Sequence, residues 1–436
     1  MTQRIAVVGA GWSGLAAAVE LSAAGVECTL FEAGRVPGGR ARSLTLDGRR
    51  LDNGQHILLG AYRETLALMR RVGASEERLL WRTPLCVSNA EDFHLELPDW
   101  PAPWNLAYGL LNARGASLEE KWRVFRCLHQ LKARGWQVDE GLSVAAWLEA
   151  ENVGLSRKLW HPLCLAAMNT SPQIASAQVF VRVLRDSLGS SARGATDLLL
   201  PRVPLEELLP LPACDWLRRR GASLRFGERL RNVTVCSDGY VVQGERFDQL
   251  IVTVAPQHVA KLLAHGDSEL SEWSAGFISF EYEPIATLYF EYPEVFRLAR
   301  PLLHLEGTGQ WAVDRGAVAA SLNDAGLVAV VLSGQGDWQT LDNDALCAET
   351  QAEIAALHPG LKPPRWQRVL REQRATFSCR PRLRRPSQRT NTPGLWLAGD
   401  YCWQAYPATL EGAVRSGLRA AHLALGIDSI GHSVAD

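Results

Sequence analysis

The 436-residue sequence has no C-x-x-C motif and no even set of cysteines. Its nine cysteines lie singly along the chain, which argues against a disulfide framework and against a structural zinc site. We therefore expect a reducing compartment and no bound metal.

A long apolar run is also missing. The longest stretch without Asp, Glu, Lys or Arg covers residues 159–181, and it contains Pro162 and Pro172. Such a segment is not expected to cross a membrane. The N-terminus passes from MTQR straight into a predicted strand, so no export signal is predicted and the expected location is the cytoplasm.

Net charge is nearly absent as well. The formal charge is −1 at pH 7, which gives no reason to expect a nucleic-acid partner. Only five lysines occur. Tryptophan is frequent by contrast, with fifteen residues, and this count favours either a Trp-rich core or a broad apolar cavity or surface.

The N-terminal pattern predicts a βαβ unit. Residues 4–8 are typical of a buried strand, residues 13–25 of a helix and residues 27–33 of a second strand. With later strand-rich segments, this predicts an α/β fold: a discontinuous Rossmann-type dinucleotide-binding domain with an inserted α+β substrate domain. The predicted dinucleotide-binding pieces are 1–95, 215–265 and 386–436, and the predicted substrate-binding pieces are 96–214 and 266–385.

Glycines stand where the first strand turns into the helix. Gly9 permits the tight turn, Gly11 lets the backbone approach a pyrophosphate, and Gly14 allows close packing of the helix. Ser13 lies beside them and is predicted to bind as well. Glu32 ends the second strand and is expected to accept hydrogen bonds from the adenosine ribose, which disfavours NADP.

Two further motifs follow this unit, GGR at 38–40 and DNGQH at 52–56. A nicotinamide dehydrogenase has no need of them. With the first glycine motif they resemble the superfamily of flavin amine oxidases and phytoene desaturases, which implies FAD as the cofactor. The residues that the resemblance assigns to FAD here are Gly38, Gly39, Arg40, Gly54, Gln55 and His56.

A second glycine-rich segment, LAGDYCWQAYPATLEGAVRSG, covers residues 397–417. The resemblance implies that it closes over the flavin end of the same FAD, with free helix amides facing the flavin N1–C2 edge. It also implies a backbone contact from Val233 in an adenine-side strand. Tyr401-Cys402-Trp403 departs from the Trp-Thr pair of the family pattern. The residues assigned to FAD here are Val233, Gly399, Asp400, Glu411, Gly412 and Ala413.

Four segments outside these motifs, 161–188, 196–210, 374–386 and 406–417, resemble one subfamily. This is the squalene-associated flavoprotein family of bacterial hopanoid pathways, and the resemblance covers essentially the whole chain. It implies reductive dehydroxylation of hydroxysqualene to squalene, in which an acid assists loss of the allylic hydroxyl and reduced flavin N5 supplies hydride.

The acid is left open among His56, Asn169, Thr170 and Tyr406. Asn169 and Thr170 are equally typical of a helix cap, and His56 of the cofactor pocket. Tyr401, Trp403 and Tyr406 are expected either to wall a substrate channel or to pack. Three other functions remain: a squalene or carotenoid-precursor desaturase, an amine oxidase, for which no lysine has the expected context, and a protein that only binds a prenyl lipid.

The expected partners are the lipid substrate, an unidentified electron donor and membrane lipid. The segment WPAPWNLAYGLL at 100–111 is typical of an interfacial surface. Arg380, Arg382, Arg384 and Arg385 are interpreted as a lipid-facing cluster, as a solvated loop or as phosphate contacts. Together these features predict peripheral contact with the inner face of the membrane.

Overall fold

A computed structural model describes residues 3–427, apart from 89–92, 265–267, 294, 306, 308–309 and 320–323. The strands are β1 (Arg4–Val8), β2 (Glu27–Glu32), β3 (Ser43–Leu46), β4 (Arg49–Asp52), β5 (Leu58–Leu59), β6 (Leu80–Thr83), β7 (Cys86–Ser88), β8 (His94–Glu96), β9 (Leu198–Pro201), β10 (Ser223–Phe226), β11 (Thr234–Cys236), β12 (Gly239–Val242), β13 (Glu245–Phe247), β14 (Gln249–Val252), β15 (Tyr282–Glu291), β16 (Leu302–His304), β17 (Trp311–Asp314), β18 (Leu327–Ser333), β19 (Trp366–Phe377) and β20 (Leu395–Leu397). The α-helices are α1 (Trp12–Ala23), α2 (Arg63–Arg71), α3 (Glu76–Leu79), α4 (Trp104–Asn112), α5 (Leu118–Ala133), α6 (Val144–Ala150), α7 (His161–Met168), α8 (Ala177–Asp186), α9 (Leu205–Leu208), α10 (Pro210–Arg219), α11 (Pro256–Leu263), α12 (Ser268–Ala275), α13 (Arg315–Val318), α14 (Asn343–Leu357) and α15 (Leu410–Ala424).

A five-stranded parallel sheet holds the two ends of the chain together, in the order β10-β2-β1-β14-β20. Its inner strands are almost continuously apolar, as in parallel sheets covered on both faces. Because β14 and β20 pair beside β1, the chain returns to its N-terminal βαβ unit twice. The predicted α/β class is therefore confirmed.

Helices α1 and α15 pack closely beside this sheet. A Cβ atom added at Gly417 on α15 would lie 2.1 Å from the Ser13 carbonyl oxygen on α1. The absence of a side chain at Gly417 is thus what allows the two helix backbones to meet. Since α15 follows the second glycine-rich segment, this contact fixes that segment against the first.

A second sheet is antiparallel, in the order β16-β17-β18-β15-β19. Leu288 and Phe290 of β15 point to one face, where they share a core with Leu346 and Ile354 of α14. Residues of the opposite face are turned toward the N-terminal segments, where Tyr289 Oη donates a hydrogen bond to the Asp52 carbonyl at 3.0 Å.

The helical stretch between β8 and β10 is tied to the N-terminal region by the small sheet β5-β9-β6. The predicted domain division remains a prediction, and its boundary at residue 214 falls inside α10. Ala213 and Leu217 of that helix share a core with Leu15 of α1.

Candidate functional site

The first glycine turn leaves one side open. A Cβ at Gly14 would lie only 1.8 Å from the Gly9 carbonyl oxygen, so packing alone demands glycine there. At Gly11 the nearest atom to an added Cβ is the Gly39 Cα, at 4.0 Å. The backbone at Gly11 therefore borders free space at the N-terminus of α1, where amide groups point outward.

The second glycine loop lies directly against the first. Gly38 N donates to the Ala10 carbonyl at 2.8 Å, and Gly11 and Gly38 form an isolated parallel bridge. A Cβ at Gly39, where φ is +63°, would approach the Gly11 Cα to 3.2 Å. The two loops together form a cradle of bare backbone.

Arg40 connects this cradle to the C-terminal segment. Its guanidinium group donates to Asp400 Oδ2 at 2.7 Å and to the Ala375 carbonyl at 2.6 Å. Desolvation opposes the charge on Arg40, but the neighbouring Asp400 carboxylate outweighs it and raises the pKa of Arg40. The second oxygen of Asp400 accepts from Tyr401 N at 3.1 Å.

Glu32 accepts hydrogen bonds from backbone amides of the first glycine loop and of the segment after β2. Its carboxylate accepts from Ala10 N at 2.7 Å and from Gly34 N at 2.6 Å. A carboxylate has about four acceptor positions, so two protein contacts leave capacity for ribose hydroxyls. The ribose contact itself remains a prediction.

The DNGQH segment lies beneath β15. Gly54 has a φ of +99°, and a Cβ there would lie 4.0 Å from Thr287 Oγ1. His56 Nδ1 bonds to the Gly54 carbonyl oxygen at 2.8 Å. Burial lowers the pKa of His56, although this bond and the charge of Asp52 act in the opposite direction. The imidazole is therefore neutral at pH 7.

The predicted free amides at the start of α15 are only partly free. Thr409 Oγ1 accepts from Gly412 N at 3.0 Å, so the helix caps itself at that position. The Ala413 N–H bonds within the helix to the Thr409 carbonyl at 3.0 Å. The sequence motif was correct about the helix start but wrong about Gly412 and Ala413 as free donors, because a threonine precedes them.

The Glu411 side chain is engaged by the first residues of α2. It is buried, and it accepts from Thr65 N at 2.9 Å, Thr65 Oγ1 at 2.7 Å and Glu64 N at 3.1 Å. Arg415 Nε donates to it at 2.7 Å. Glu411 thus caps the N-terminus of α2, whose own N-cap residue, Tyr62, provides no side-chain cap.

The strand predicted for Val233 is also displaced. Val233 lies in an irregular segment just before β11, and its N–H donates to the Leu262 carbonyl at 3.3 Å. The residue is buried. The expectation that it belongs to a strand is wrong by one position, since the pairing with β12 begins at Thr234.

Comparisons with known proteins bear directly on this arrangement. The model of the family described as flavin containing amine oxidoreductase matches residues 12–425. The chain belongs to this family. Its cofactor is accordingly FAD, as the motifs predicted.

Several relatives of this flavin family match over nearly the full length of the chain. Hydroxysqualene dehydroxylase of Rhodopseudomonas palustris is 31% identical over 98% of this chain and 99% of its own. Hydroxysqualene dehydroxylase of Zymomonas mobilis is 27% identical over 96% and 98%. The 15-cis-phytoene desaturase of Synechococcus elongatus is 25% identical over 95% and 94%.

Solved structures of flavoenzymes share the fold. Cyclohexylamine oxidase from Brevibacterium oxydans superposes with a TM-score of 0.67 over 98% of this chain and 99% of its own, at 15% identity. At this identity the likeness shows the amine oxidase fold alone, which confirms the predicted fold class.

The residues present fit a flavin dinucleotide. Ser13 Oγ, Arg42 Nε, Gln55 Oε1, Thr287 Oγ1 and Trp403 Nε1 are buried and have no hydrogen-bond partner among the described residues. Each lies in or beside one of the segments assigned to FAD. Buried polar groups without partners are costly, and the polar edges of a bound flavin dinucleotide are suited to satisfy them.

Of the predicted acids, Asn169 and Thr170 are taken up by the fold. Asn169 is buried at the end of α7; its amide donates to Thr376 Oγ1 at 2.8 Å and accepts from Gly334 N at 2.6 Å. Thr170 Oγ1 donates to the Met168 carbonyl and accepts from Cys379 N. Asn169 is the C-cap residue of α7, and Thr170 bonds to the carbonyl of the last helical residue. Both residues therefore close the helix at its C-terminal end.

Tyr406 lies in a charged cluster near the start of α15. Its hydroxyl donates to Asp186 at the end of α8, and the Arg415 guanidinium lies 5.6 Å from the ring centroid. Burial raises the pKa of the phenol. No sequence signal pointed to Asp186, because it is 220 positions from Tyr406 and belongs to no motif.

The aromatic residues next to Asp400 divide into two groups. Tyr401 is fully buried, donates to the Val254 carbonyl at 3.0 Å and packs edge-on to Phe280. It therefore packs. Trp403 lies 5.9 Å from the Arg415 guanidinium and is less buried than Tyr401, so it is the better candidate for a wall of the substrate channel.

Proposed function

We propose that this chain catalyses the FAD-dependent reductive dehydroxylation of hydroxysqualene. Hydroxysqualene, anionic reduced FAD (FADH⁻) and a proton give squalene, water and oxidised FAD. The observation that carries the proposal is the 31% identity to a hydroxysqualene dehydroxylase over 98% of the chain. When bound, reduced FAD supplies the hydride that replaces the hydroxyl group.

The geometry of the glycine loops and their neighbours supports the following cofactor-binding roles. We assign the pyrophosphate to the backbone cradle of Gly9, Gly11, Gly38 and Gly39, the adenosine ribose to Glu32, and the flavin end to the segments around His56 and Asp400. Ser13, Gly14, Arg40, Gly54, Gln55, Val233 and Gly399 complete the predicted set. For Glu411, Gly412 and Ala413 we retain only an indirect role, through the position of α15.

Loss of hydroxide requires a hydrogen-bond donor at the leaving oxygen. We assign this contact to Tyr406, because burial raises the pKa of its phenol and keeps it protonated. Its one proton, which bonds to Asp186 in this structure, would turn to the leaving oxygen when the substrate binds. Asn169 is unsuited, since Thr376 and Gly334 occupy its amide. His56, which is neutral, is retained as a polar contact beside the flavin.

Water must be excluded, because an allylic cation would otherwise add water again. The sheet face above the DNGQH segment serves this purpose. Thr287 pairs with Val331 on one side and Leu370 on the other, so its two cross-strand neighbours on this face are apolar. The electron donor is proposed to be a separate reductant, and the enzyme is proposed to work at the cytoplasmic face of the membrane.

The deciding experiment uses the FAD-bound protein under anaerobic conditions. The flavin is photoreduced, hydroxysqualene is added, and flavin absorbance and extracted lipids are followed together. Reoxidation matched by squalene formation is the expected result. Photoreduced free FAD without protein is the control for uncatalysed transfer.

The second candidate is a desaturase, favoured by the match to a 15-cis-phytoene desaturase. It requires the opposite flow of electrons, from lipid to oxidised flavin. If the reduced flavin remains unchanged with hydroxysqualene, while oxidised enzyme bleaches with squalene or phytoene, the dehydroxylase proposal is wrong.

A further inference from the structure

Helices α4 and α5 expose an unusual amount of apolar surface. Seven large side chains there are between 46% and 80% exposed, although soluble proteins rarely expose such side chains in clusters. We refer to them as the α4–α5 face. Its members are Trp100, Trp104, Tyr108, Leu111, Leu118, Trp122 and Phe125.

Helical spacing places three of these side chains on one face of each helix. Trp104, Tyr108 and Leu111 follow each other at intervals of four and three on α4, and α5 repeats the pattern from its first residue. The rings of Trp100 and Tyr108 are 4.9 Å apart. Lys121 Nζ donates to the Leu111 carbonyl at 3.0 Å, which joins the end of α4 to α5.

The charges on this surface are mainly basic. Arg126 lies over the Trp122 ring at 5.2 Å, and Arg114 and Lys121 flank the junction of the helices. The acidic groups of α5 are already engaged. Glu119 pairs with Arg123, and Glu120 completes the capping box with Ser117.

The α4–α5 face is also connected to the candidate site. Asn105, on the buried side of α4, donates to Thr196 Oγ1 at 3.4 Å. The next residue, Asp197, accepts at its carbonyl from Gly60 N at 2.8 Å. Gly60 directly follows β5, which starts two positions after His56. A short, continuous structure thus leads from the exposed face to the DNGQH segment.

We propose that the α4–α5 face docks on an anionic lipid bilayer. Tryptophan and tyrosine side chains combine a large apolar ring with a polar group and settle at the headgroup level, while leucine and phenylalanine reach the acyl chains. Arginine and lysine at the edge meet anionic headgroups. The reason for such docking rests on the proposed function: a thirty-carbon lipid substrate is dissolved in the bilayer, so the enzyme must reach it there.

Two of the four arginines in the cluster at 380–385 are engaged by other groups of the protein. Arg385 is directed inward to the carbonyls of Gln404 and Tyr406, and Arg380 pairs with Glu281. Of the two surfaces that the sequence offered for lipid, the structure favours the aromatic one. Helix α5 extends it beyond the segment 100–111.

The test is co-sedimentation of the FAD-bound protein with vesicles. One set contains equal parts of phosphatidylcholine and phosphatidylglycerol, and the other contains phosphatidylcholine alone. The combined variant Trp104→Ser, Leu111→Ser, Trp122→Ser and Phe125→Ser is expected to bind the mixed vesicles roughly a hundredfold more weakly. Val295→Ser with Leu357→Ser, which changes exposed apolar residues elsewhere, is expected to bind as the wild type does.

Charge and self-association are tested separately. Arg114→Gln with Lys121→Gln and Arg126→Gln is expected to remove the preference for phosphatidylglycerol. Wild-type protein that remains in the supernatant with both kinds of vesicle overturns the proposal. So does a lipid-independent dimer that the serine variant converts to monomer, because the face would then bind a second copy.

Activity distinguishes this proposal from the proposed function. With hydroxysqualene dispersed in detergent, the serine variant is expected to keep the wild-type rate, since none of its changes touches the assigned site. Loss of vesicle binding with this rate retained supports docking. If vesicles bind as expected but neither protein converts hydroxysqualene, the proposed function fails and the docking surface stands.

Discussion

Arg40 and Asp400 form a 2.7 Å ion pair although 360 positions separate them. One follows the second glycine loop, and the other belongs to the C-terminal glycine segment. Desolvation costs both groups solvation energy, and the pair is maintained because each compensates the other. This contact, with the packing of α1 on α15, joins the two halves of the assigned FAD site.

The first prediction follows from that pair. Asp400→Asn removes the charge that compensates Arg40, and we expect roughly tenfold weaker FAD binding, measured by titrating the apoprotein and following flavin fluorescence. Arg40→Met supplies the other side of a double-mutant cycle. A coupling free energy of about 1–3 kcal/mol is expected between the two positions. Strictly additive effects would show that the pair does not organise the site.

The second prediction contrasts two glycines of the same turn. Gly11→Ala places a methyl group in free space, so the unfolding free energy of the apoprotein should stay within about 1 kcal/mol of wild type. FAD binding should nevertheless weaken by roughly a hundredfold, because the methyl group occupies the position assigned to the pyrophosphate. Gly14→Ala, which would clash with the Gly9 carbonyl, should destabilise the apoprotein itself. Normal FAD binding by the Gly11 variant would refute the assignment.

A third prediction concerns Glu411. Glu411→Ala uncaps α2 and leaves Arg415 without its partner, so the unfolding free energy of the apoprotein should fall by about 2–4 kcal/mol in urea titrations. Glu119→Ala removes an exposed ion pair on α5 and should cost about 0.5 kcal/mol or less. If the Glu411 variant instead has normal apoprotein stability and weak FAD binding, the direct cofactor role expected from the sequence is correct.

The fourth prediction tests Tyr406 as the donor. Tyr406→Phe should lower kcat for squalene formation by about a hundredfold or more, with FAD affinity unchanged. Tyr401→Phe is the matched control: its hydroxyl bonds to the Val254 carbonyl, so it should lose about 1 kcal/mol of stability and keep kcat. A Tyr406 variant with wild-type kcat would exclude the phenol from the reaction.

The pH dependence of the same step has a definite sign. Burial raises the pKa of Tyr406, so the neutral phenol persists above its usual titration range. The wild-type rate should therefore show no loss from Tyr406 as the pH rises to 10. The structure would be contradicted if kcat fell around the ordinary tyrosine pKa of about 10 and if Tyr406→Phe abolished that fall.

The sequence predicted what depends on local backbone geometry. The turn at Gly9–Gly14 and the helix start near Glu411 were correctly placed, because glycine spacing and helix signals act over a few residues. The direction of the Glu411 side chain was not predictable, since its partner Thr65 lies 346 positions away. Asp186 was missed for the same reason.

Only part of the α4–α5 face could be predicted from the sequence. The aromatic segment on α4 was recognisable, because Trp and Tyr recur there without charges. Helix α5 was not, since Trp122 and Phe125 are interspersed with arginine and lysine and resemble an ordinary surface helix. Only the packing shows which side of α5 is covered.

The order of the parallel sheet has a consequence for synthesis of the protein. Strand β14 is complete at residue 252, but its neighbour β20 is added only at residues 395–397. At a translation rate of roughly 5–20 residues per second, the edge of β14 stays unpaired for about 7–30 seconds on the ribosome. During that time it is a template for pairing with other chains. The cofactor site is thus the last part of the molecule to form, and a nascent chain released before residue 397 has an incomplete sheet and no closed place for FAD.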